Sequence, residues 1–276
     1  MDDVEKRRYD VWAAGDAYER YMGRWSRHVA EDFVAWLACG PGARWLDVGC
    51  GTGALTATVA DRCRPRTVIG LERSTAFVTS ARTTVPTATG FAVADARALP
   101  FPEAVFDVAV SGLMLNFLPE PADWVREAAR VVRPGGLVAA YVWDYADGMA
   151  FLRHFWDAAT ALDPAAAELD EGRRFPVCRP EPLREMWAAV GLLDVAVAPV
   201  EVPTVFADFT DLWEPFLAGQ GPAPGYVAAL PASARDRLRA ALEASVPTRP
   251  DGAMELTARA WAVRGRRPVR SRTVPP

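Results

Sequence analysis

Three glycines at every second position follow an acid and a valine in the run Asp47–Gly53 (DVGCGTG). The apolar residues before Asp47 predict a strand, and residues 54–60 (ALTATVA) predict a helix. Glycine adopts positive φ angles and has no Cβ, so a ligand can lie against the bare backbone of such a turn. The amide-rich start of the helix faces the same ligand. The spacing G-x-G-x-G is one residue shorter than the dinucleotide fingerprint G-x-G-x-x-G, which disfavours a dinucleotide-dependent dehydrogenase.

Three further polar residues end predicted strands. Glu72 and Asp95 each end a short apolar run, and Ser111 ends another. Ligands bind at the carboxyl ends of the strands in an open α/β sheet, so we expect these side chains to meet at one edge. A carboxylate such as that of Glu72 can accept a hydrogen bond on each oxygen from a pair of hydroxyls. The alternative is structural: Glu72 is a helix-capping charge, Asp95 forms a turn, and the glycine run is an ordinary strand-to-helix turn.

Strands alternate with helices over residues 44–143, and this alternation predicts the sheet that positions these residues. Nearly continuous apolar strands favour a parallel sheet covered by helices on both faces. We expect a single domain over residues 1–276 with the following parts: an N-terminal helical cap (9–38), a ligand-binding core (40–145), helical insertions (145–180 and 201–255), C-terminal strands (192–200 and 257–263) and a disordered tail (266–276).

Taken together, these positions resemble the class I S-adenosylmethionine-dependent methyltransferases over about residues 40–145. The glycine run resembles motif I of that family, and Arg130–Gly136 (RVVRPGG) looks like the R-V-L-R-P-G-G signature before the fifth strand. Residues 99–103 (LPFPE) and Phe106-Asp107 resemble the small-molecule branch, methyltransferase type 11, which includes quinone-biosynthesis enzymes. The resemblance implies a Rossmann-like, seven-stranded, mostly parallel sheet with helical lid insertions. It also implies S-adenosylmethionine as the cofactor and S-adenosylhomocysteine as the product.

The resemblance further assigns roles at the sheet edge. Asp47 orients the glycine loop, Glu72 accepts both ribose hydroxyls, and Asp95 receives the adenine amino group while the Ala96 amide addresses a ring nitrogen. The strand end at Ser111 to Leu113 passes beside the methionine portion. The implied cofactor-binding residues of this edge are Asp47, Gly49, Cys50, Gly51, Gly53, Glu72, Arg73, Asp95, Ala96, Ser111 and Leu113.

The segment before the first strand is similar to the aromatic N-terminal helix of many family members. A sulfonium cation favours an aromatic face, which makes Tyr21 and Trp25 candidate contacts. Arg24 or Arg27 can pair with the carboxylate of the cofactor. The alternative is an amphipathic helix that packs its aromatic side chains on the sheet.

Methyl transfer from a sulfonium is an in-line displacement, in which the protein mainly holds the acceptor behind the methyl group and excludes water. No nucleophilic side chain is required, and the sequence leaves the catalytic residue unknown. His154 and Asp144 are weak candidates for a general base. Asn116 stands where family members often carry histidine, so we expect no base there. No acid cluster with metal-ligand spacing appears near the fourth and fifth strands, and we expect no metal.

Composition sets the remaining expectations. The chain has 276 residues and a formal net charge of −4, which gives no basic field for nucleic acid. Its four cysteines are scattered without C-x-x-C spacing, and no apolar stretch is long enough for a membrane span, which together favour a cytoplasmic protein. The insertions are rich in Phe, Trp, Leu and Pro, which favours a small, partly apolar organic acceptor. We expect a monomer or homodimer; the alternative functions are a protein or RNA methyltransferase and a non-catalytic S-adenosylmethionine-binding module.

Overall fold

The computed structural model describes residues 19–85, 90–218 and 221–269. Its strands are β1 (Arg44–Val48), β2 (Thr67–Glu72), β3 (Gly90–Val93), β4 (Phe106–Gly112), β5 (Val132–Trp143), β6 (Leu193–Phe206) and β7 (Met254–Arg266). Its α-helices are α1 (Arg24–Leu37), α2 (Ala54–Arg62), α3 (Thr75–Thr84), α4 (Pro121–Val131), α5 (Ala150–Leu162), α6 (Glu171–Arg174), α7 (Pro180–Ala189), α8 (Phe209–Trp213), α9 (Pro222–Ala229) and α10 (Ala232–Ser245). A π-helix (Glu19–Gly23) and three 3₁₀ helices (Leu115–Phe117, Pro164–Glu168 and Glu214–Ala218) complete the described elements.

The seven strands form one sheet in the order β3-β2-β1-β4-β5-β7-β6. The pairs β1–β2, β2–β3, β1–β4 and β4–β5 are parallel. β7 runs antiparallel to β5, because Gly135 donates its amide to the Arg267 carbonyl while Asp144 donates to that of Arg259. Residues 45–48 of β1 and 137–143 of β5 are buried without interruption. Because successive side chains point to opposite faces, both faces of the sheet are covered, as predicted for this α/β class.

The last two strands are longer than the sequence predicts. β6 runs on to Phe206, so the expected helical insertion 201–255 begins as a strand in which buried Val202, Thr204 and Phe206 alternate with exposed residues. Pro203 hid the continuation of the strand past residue 200, since proline rarely occurs inside a strand. β6 ends the sheet on one side, which is where proline is tolerated.

The predicted start of the disordered tail was also wrong. β7 continues to Arg266, and Arg264 donates to the Trp36 carbonyl at 2.8 Å with its guanidinium 4.5 Å from that indole. Arg267 is held as well, because it donates to the carbonyls of Arg130 and Val132. Residues 266 and 267, which were expected to begin a disordered tail, are therefore held by the sheet unit. Residues 270–276, and residues 9–18 of the expected cap, lie outside the described part of the chain.

The chain divides into two compact units, which are described separately. The sheet unit comprises residues 29–142, 179–200 and 261–276; the insertion unit comprises residues 1–28, 143–178 and 201–260. In the sheet unit the buried Trp187 donates its indole N–H to the Val138 carbonyl at 3.0 Å and packs on Trp124. In the insertion unit α5 is the central helix, and its buried residues are largely aromatic. The expectation of a single domain stays a prediction.

Two further observations concern the described residues as a whole. Their helices include none with the length and apolar character needed to cross a membrane. The four cysteines all lie in the described ranges and are free thiols; they are Cys39, Cys50, Cys63 and Cys178.

Candidate functional site

The glycine loop turns sharply between β1 and α2 and is tethered to β2. Gly49, Gly51 and Gly53 have φ angles of 74°, 54° and 92°, in the left-handed region that glycine adopts without strain. The amides of Gly49 and Cys50 both donate to the Leu71 carbonyl, at 2.7 and 3.0 Å. The sequence-predicted loop therefore exists, with its amides fixed by the neighbouring strand.

The three glycines have different neighbours. A Cβ on Gly49 would lie 2.5 Å from Cγ of Met114, and one on Gly53 would lie 2.6 Å from Cγ2 of Val85. These two glycines are needed because the loop packs closely on its own unit. A Cβ on Gly51 would meet nothing within 4 Å. Gly51 is therefore the glycine whose bare backbone faces open space, where a ligand can approach.

Asp47, which precedes this loop, is fully buried, and only one of its two carboxylate oxygens has a hydrogen-bond partner in the described chain. Its Oδ2 accepts a hydrogen bond from the Thr56 hydroxyl at 2.6 Å, whereas Oδ1 has no partner among the described residues. Burial raises the pKa of Asp47 to about 7, against the lowering effect of Thr56 and with a smaller raising effect from Glu72. A buried acceptor without a donor is costly, so an incoming N–H or O–H is stabilised here. Thr56 is a supporting residue that the sequence analysis did not single out.

Glu72 links the loop to the start of the next helix. Its Oε2 accepts from the Gly51 amide at 3.2 Å and its Oε1 accepts from the Ser74 amide at 2.9 Å. Each carboxylate oxygen carries two lone pairs, so one acceptor site per oxygen remains for a ligand. The structure therefore gives Glu72 both the helix-start role and the capacity to accept two hydroxyls.

Asp95 follows β3 and accepts hydrogen bonds from Arg97. Arg97 donates to it through its amide, Nε and Nη2, at 2.9, 3.1 and 2.7 Å, and these bonds lower the pKa of Asp95 to about 2. The carboxylate is thus ionised at neutral pH, so both of its oxygens can accept hydrogen bonds. Arg73 is exposed, with its charge near enough to stabilise Asp95, and Ala96 is half-buried beside it.

The end of β4 contributes two unsatisfied polar groups. The Ser111 hydroxyl and the Asn116 side-chain amide are buried, and within the described chain neither Oγ nor Nδ2 has a hydrogen-bond partner. Leu113 has a φ of 59°, which is strained for a non-glycine residue. A Cβ on Gly112 would lie 2.6 Å from the Tyr141 hydroxyl oxygen. Strain and orphaned polar atoms together are typical of a binding site.

The three predicted N-terminal contacts lie in the insertion unit, within an aromatic cluster. The Tyr21 ring packs edge-on against Phe216, and the Trp25 ring packs against Phe206 at 5.6 Å. Arg24 lies 4.4 Å from the Trp25 ring and donates to Asp211 at 2.9 Å, while its Nε and Nη2 are buried without partners in the described ranges. Both rings thus pack against aromatic side chains of the insertion unit, and their role toward a cofactor stays a prediction.

The two candidate bases differ in their surroundings. Asp144 is buried and bound by Arg259 at 2.6 Å, and its other oxygen accepts from the Asp147 amide at 3.1 Å. This pairing favours a structural role, because proton uptake would break a buried ion pair. His154 is half-buried on α5.

Arg27, which was the alternative to Arg24 as a partner for the cofactor carboxylate, is exposed. Within the described residues no group of three or more His, Cys, Asp or Glu side chains is arranged to hold a metal ion.

Comparison with known proteins decides the family. The profile of a family described as "Methyltransferase domain" matches residues 46–140, the glycine loop through β5. The chain is 31% identical over 242 residues to the 2-methyl-6-phytyl-1,4-hydroquinone methyltransferase of Synechocystis, which covers 77% of this chain and 73% of that protein. The chain belongs to the class I S-adenosylmethionine-dependent methyltransferases. The methyltransferase is thus an enzyme of the small-molecule branch, as the sequence motifs predicted.

Two further comparisons extend this result. The methyltransferase is 33% identical over 111 residues to a trans-aconitate 2-methyltransferase from Azoarcus, over 40% of this chain and 43% of that protein. Its fold is similar to that of a Haemonchus contortus phosphoethanolamine N-methyltransferase 2 solved with S-adenosylhomocysteine. That likeness has a TM-score of 0.57 at 18% identity and covers 92% of this chain and 56% of the other. The sheet order and its parallel core are those of this fold.

The residues present in the methyltransferase fit its cofactor, S-adenosylmethionine. The open face of Gly51, the unpaired Asp47 oxygen and the free acceptor sites of Glu72 lie at one edge of the sheet, where an amino acid and a ribose need donors and acceptors. When bound, the cofactor supplies a methyl group already activated by a sulfonium. The chain has only to orient that cofactor and exclude water.

The affinity of the methyltransferase for S-adenosylhomocysteine is expected to rise with pH. Asp47 accepts a ligand hydrogen bond best when ionised, and its pKa near 7 leaves it largely protonated below neutrality. Calorimetric titration from about pH 6 to about pH 8 should show roughly tenfold tighter binding at the higher pH. Asp47→Asn should flatten that rise, whereas the exposed control Asp61→Asn should retain it. An equally steep rise in Asp47→Asn would contradict the assignment.

Proposed function

We propose that this methyltransferase methylates a small, partly apolar organic acceptor by in-line displacement. The observation that carries the proposal is the interior of the insertion unit, where many of the buried side chains are aromatic. Phe155 stacks on Phe216 at 4.5 Å, and Phe151 lies 6.0 Å from the Tyr21 ring. Flat apolar side chains of this kind suit a small ring or chain better than a charged polymer.

The relatives support a small acceptor without naming it. The Synechocystis relative acts on a hydroquinone and the Azoarcus relative on trans-aconitate, which are chemically unlike. The acceptor of this chain therefore has to be found by experiment. A protein or RNA methyltransferase and a non-catalytic binding module are the alternatives, and the same experiment separates them.

The first test is calorimetric titration with S-adenosylmethionine and S-adenosylhomocysteine, with NAD as the control. We expect micromolar binding of both sulfur compounds and none of NAD. Methyl transfer from isotope-labelled S-adenosylmethionine is then measured on a panel of phenols, hydroquinones and carboxylic acids, alongside bulk RNA and unfolded protein. Transfer to a small molecule supports the proposal, transfer only to a polymer overturns it, and binding with no transfer to any of them favours a binding module.

A further inference from the structure

Five arginines lie along one edge of the sheet unit, at the end opposite to the glycine loop. Arg44 begins β1, and Arg133 is the second residue of β5. Arg64 and Arg66 stand just before β2, which begins at residue 67. Arg266 ends β7, which runs antiparallel and therefore finishes where the parallel strands begin. All five residues belong to the sheet unit, and together they are named the arginine row.

Hydrogen bonds join the arginine row across neighbouring strands. The Arg66 amide donates to the carbonyl of Ala43 at 2.9 Å, directly before Arg44. The Asp107 carboxylate then lies between two of the arginines. Its Oδ2 accepts from the amide and Nε of Arg44 at 2.8 and 3.1 Å, and its Oδ1 accepts from Nε of Arg133 at 2.5 Å. The row is thus continuous from β2 to β5.

The arginine row continues onto β7. Nη1 of Arg266 donates to the carbonyl of Gly135 at 3.2 Å, two residues after Arg133 in β5. The strands that carry the row follow the order β2-β1-β4-β5-β7, which amounts to four strand spacings of about 4.8 Å each. The row is therefore about 19 Å long.

Three guanidinium groups of the row have no acidic partner in the part of the chain that the structure describes. Arg64, Arg66 and Arg266 are exposed, and the bond of Arg266 to a backbone carbonyl leaves its charge unpaired. A guanidinium carries five N–H donors in a planar fork that matches a carboxylate with two parallel hydrogen bonds. These three side chains can therefore bind the acids of another molecule.

Asp107 shows how strongly the row stabilises a carboxylate. Although burial opposes the change, hydrogen bonds from Arg133 and Arg44 lower the pKa of Asp107 to about 2. One carboxylate between two arginines leaves one positive charge in excess. Arg267, the next residue after the row, is by contrast paired with Glu103 and adds no net charge.

The arginine row concentrates positive charge on an acidic protein. Its five arginines and Asp107 sum to a formal charge of +4, whereas the whole chain carries −4, so the remaining residues carry −8. At about 0.15 M salt a charge acts over about 8 Å, and a ligand no longer than the row responds mainly to the row. A long polyanion such as RNA extends past the row and meets the acidic remainder. This charge pattern favours a short acidic ligand.

We propose that the arginine row binds an extended acidic segment of a partner protein. Alternate side chains of an extended segment point to the same side about 6.8 Å apart, so three or four carboxylates at every second position match the length of the row. The row lies at the amino ends of the parallel strands, whereas the cofactor-binding loop lies at their carboxyl ends. The inference therefore goes beyond the proposed function, and the partner leaves the cofactor edge open.

The experiment measures binding of a fluorescein-labelled peptide of about eight residues, in which glutamate alternates with glycine, to the full chain by fluorescence anisotropy. Binding should weaken at least about tenfold between about 0.05 M and about 0.3 M salt, because exposed charges are screened. Arg66→Gln and Arg266→Gln should each weaken binding about threefold, and the double variant about tenfold. Arg237→Gln removes an exposed arginine of α10, outside the row, and should bind as the wild type does. Affinity for S-adenosylhomocysteine should be the same in every variant.

Arg64 offers a variant that removes charge without weakening the fold. Its φ is 44°, in the left-handed region just after the end of α2, where glycine is the usual residue. Arg64→Gly should therefore resist urea at least as well as the wild type and still bind the acidic peptide about threefold more weakly. A loss of affinity in a protein of undiminished stability cannot come from unfolding.

Three results would overturn the inference. One is equal affinity of the wild type and the Arg66→Gln/Arg266→Gln double variant for the acidic peptide. Another is equal binding of a control peptide with glutamine in place of each glutamate. The third is tighter binding, at the same salt, of a uridine oligonucleotide or of phosphatidylglycerol vesicles, which would assign the row to RNA or to a membrane. The assay uses no methyl acceptor, so its outcome is separate from that of the proposed function.

Discussion

Replacing Glu72 with alanine is expected to weaken binding of S-adenosylhomocysteine by about 100- to 1,000-fold. Two hydrogen bonds from hydroxyls to a charged acceptor contribute about 1.5–3 kcal/mol each, and a loss of about 3–4 kcal/mol corresponds to that factor. The variant also loses the bonds to the Gly51 and Ser74 amides, at 3.2 and 2.9 Å, which hold the loop. Calorimetric titration at neutral pH measures the change directly.

Two matched variants separate ligand contact from loop support. Glu72→Gln keeps one acceptor oxygen and the side-chain length, so it should bind with an intermediate affinity. Glu31→Ala removes an exposed acid that pairs with Arg62 at 3.0 Å and should bind as the wild type does. If Glu72→Ala binds within about twofold of the wild type, the ribose role of Glu72 is refuted.

Replacing Gly51 with alanine should reduce affinity for S-adenosylmethionine by at least about 30-fold while the protein stays folded. The added methyl group meets no atom of the described residues within 4 Å, so the expected loss comes from the space that it takes on the face of the loop where a ligand can approach. The φ angle of 54° adds backbone strain of about 1–2 kcal/mol to the folded state. The measurement pairs calorimetric binding with urea unfolding of the unliganded protein.

The chain offers a control for the strain alone. Gly42 has a φ of 81° in the exposed turn before β1, and a Cβ there also meets nothing within 4 Å. Gly42→Ala should therefore lose about as much stability as Gly51→Ala and keep full affinity. Equal affinity losses in the two variants would show that strain, rather than a blocked ligand face, causes the loss.

The sheet and the loop were predictable because their signals are local in the sequence. Asp47 and the glycines lie within seven consecutive residues, and Glu72 ends the adjacent strand, so strand order alone brings them together. The long-range pairings were not predictable in this way. Arg259 meets Asp144 across 115 positions in the chain, and no periodicity marks either residue as a partner.

The features that the sequence analysis missed have different physical causes. Glu171 is 3% exposed although it lies in a polar, loop-rich stretch, where an acid normally points to solvent. The next residue, Gly172, packs closely on Ala146, which is a tertiary contact that residue type does not encode. The strand extension to Phe206 was missed for a different reason, because Pro203 masked a regular alternation that pairing with the neighbouring strand maintains.

The two prolines of β6, Pro199 and Pro203, affect how the protein behaves at high concentration. In the described part of the chain β6 is the last strand on one side of the sheet, and the outer side of such a strand carries amides and carbonyls to which a strand of another molecule can add. Pro199 and Pro203 lack the amide hydrogen, and every second residue of a strand directs its amide to the same side. Because proline within a sheet normally lies with its nitrogen away from the neighbouring strand, we infer that the outer side of β6 lacks these two donors. The margin of β6 is thereby a poor template for strand addition and for fibril growth.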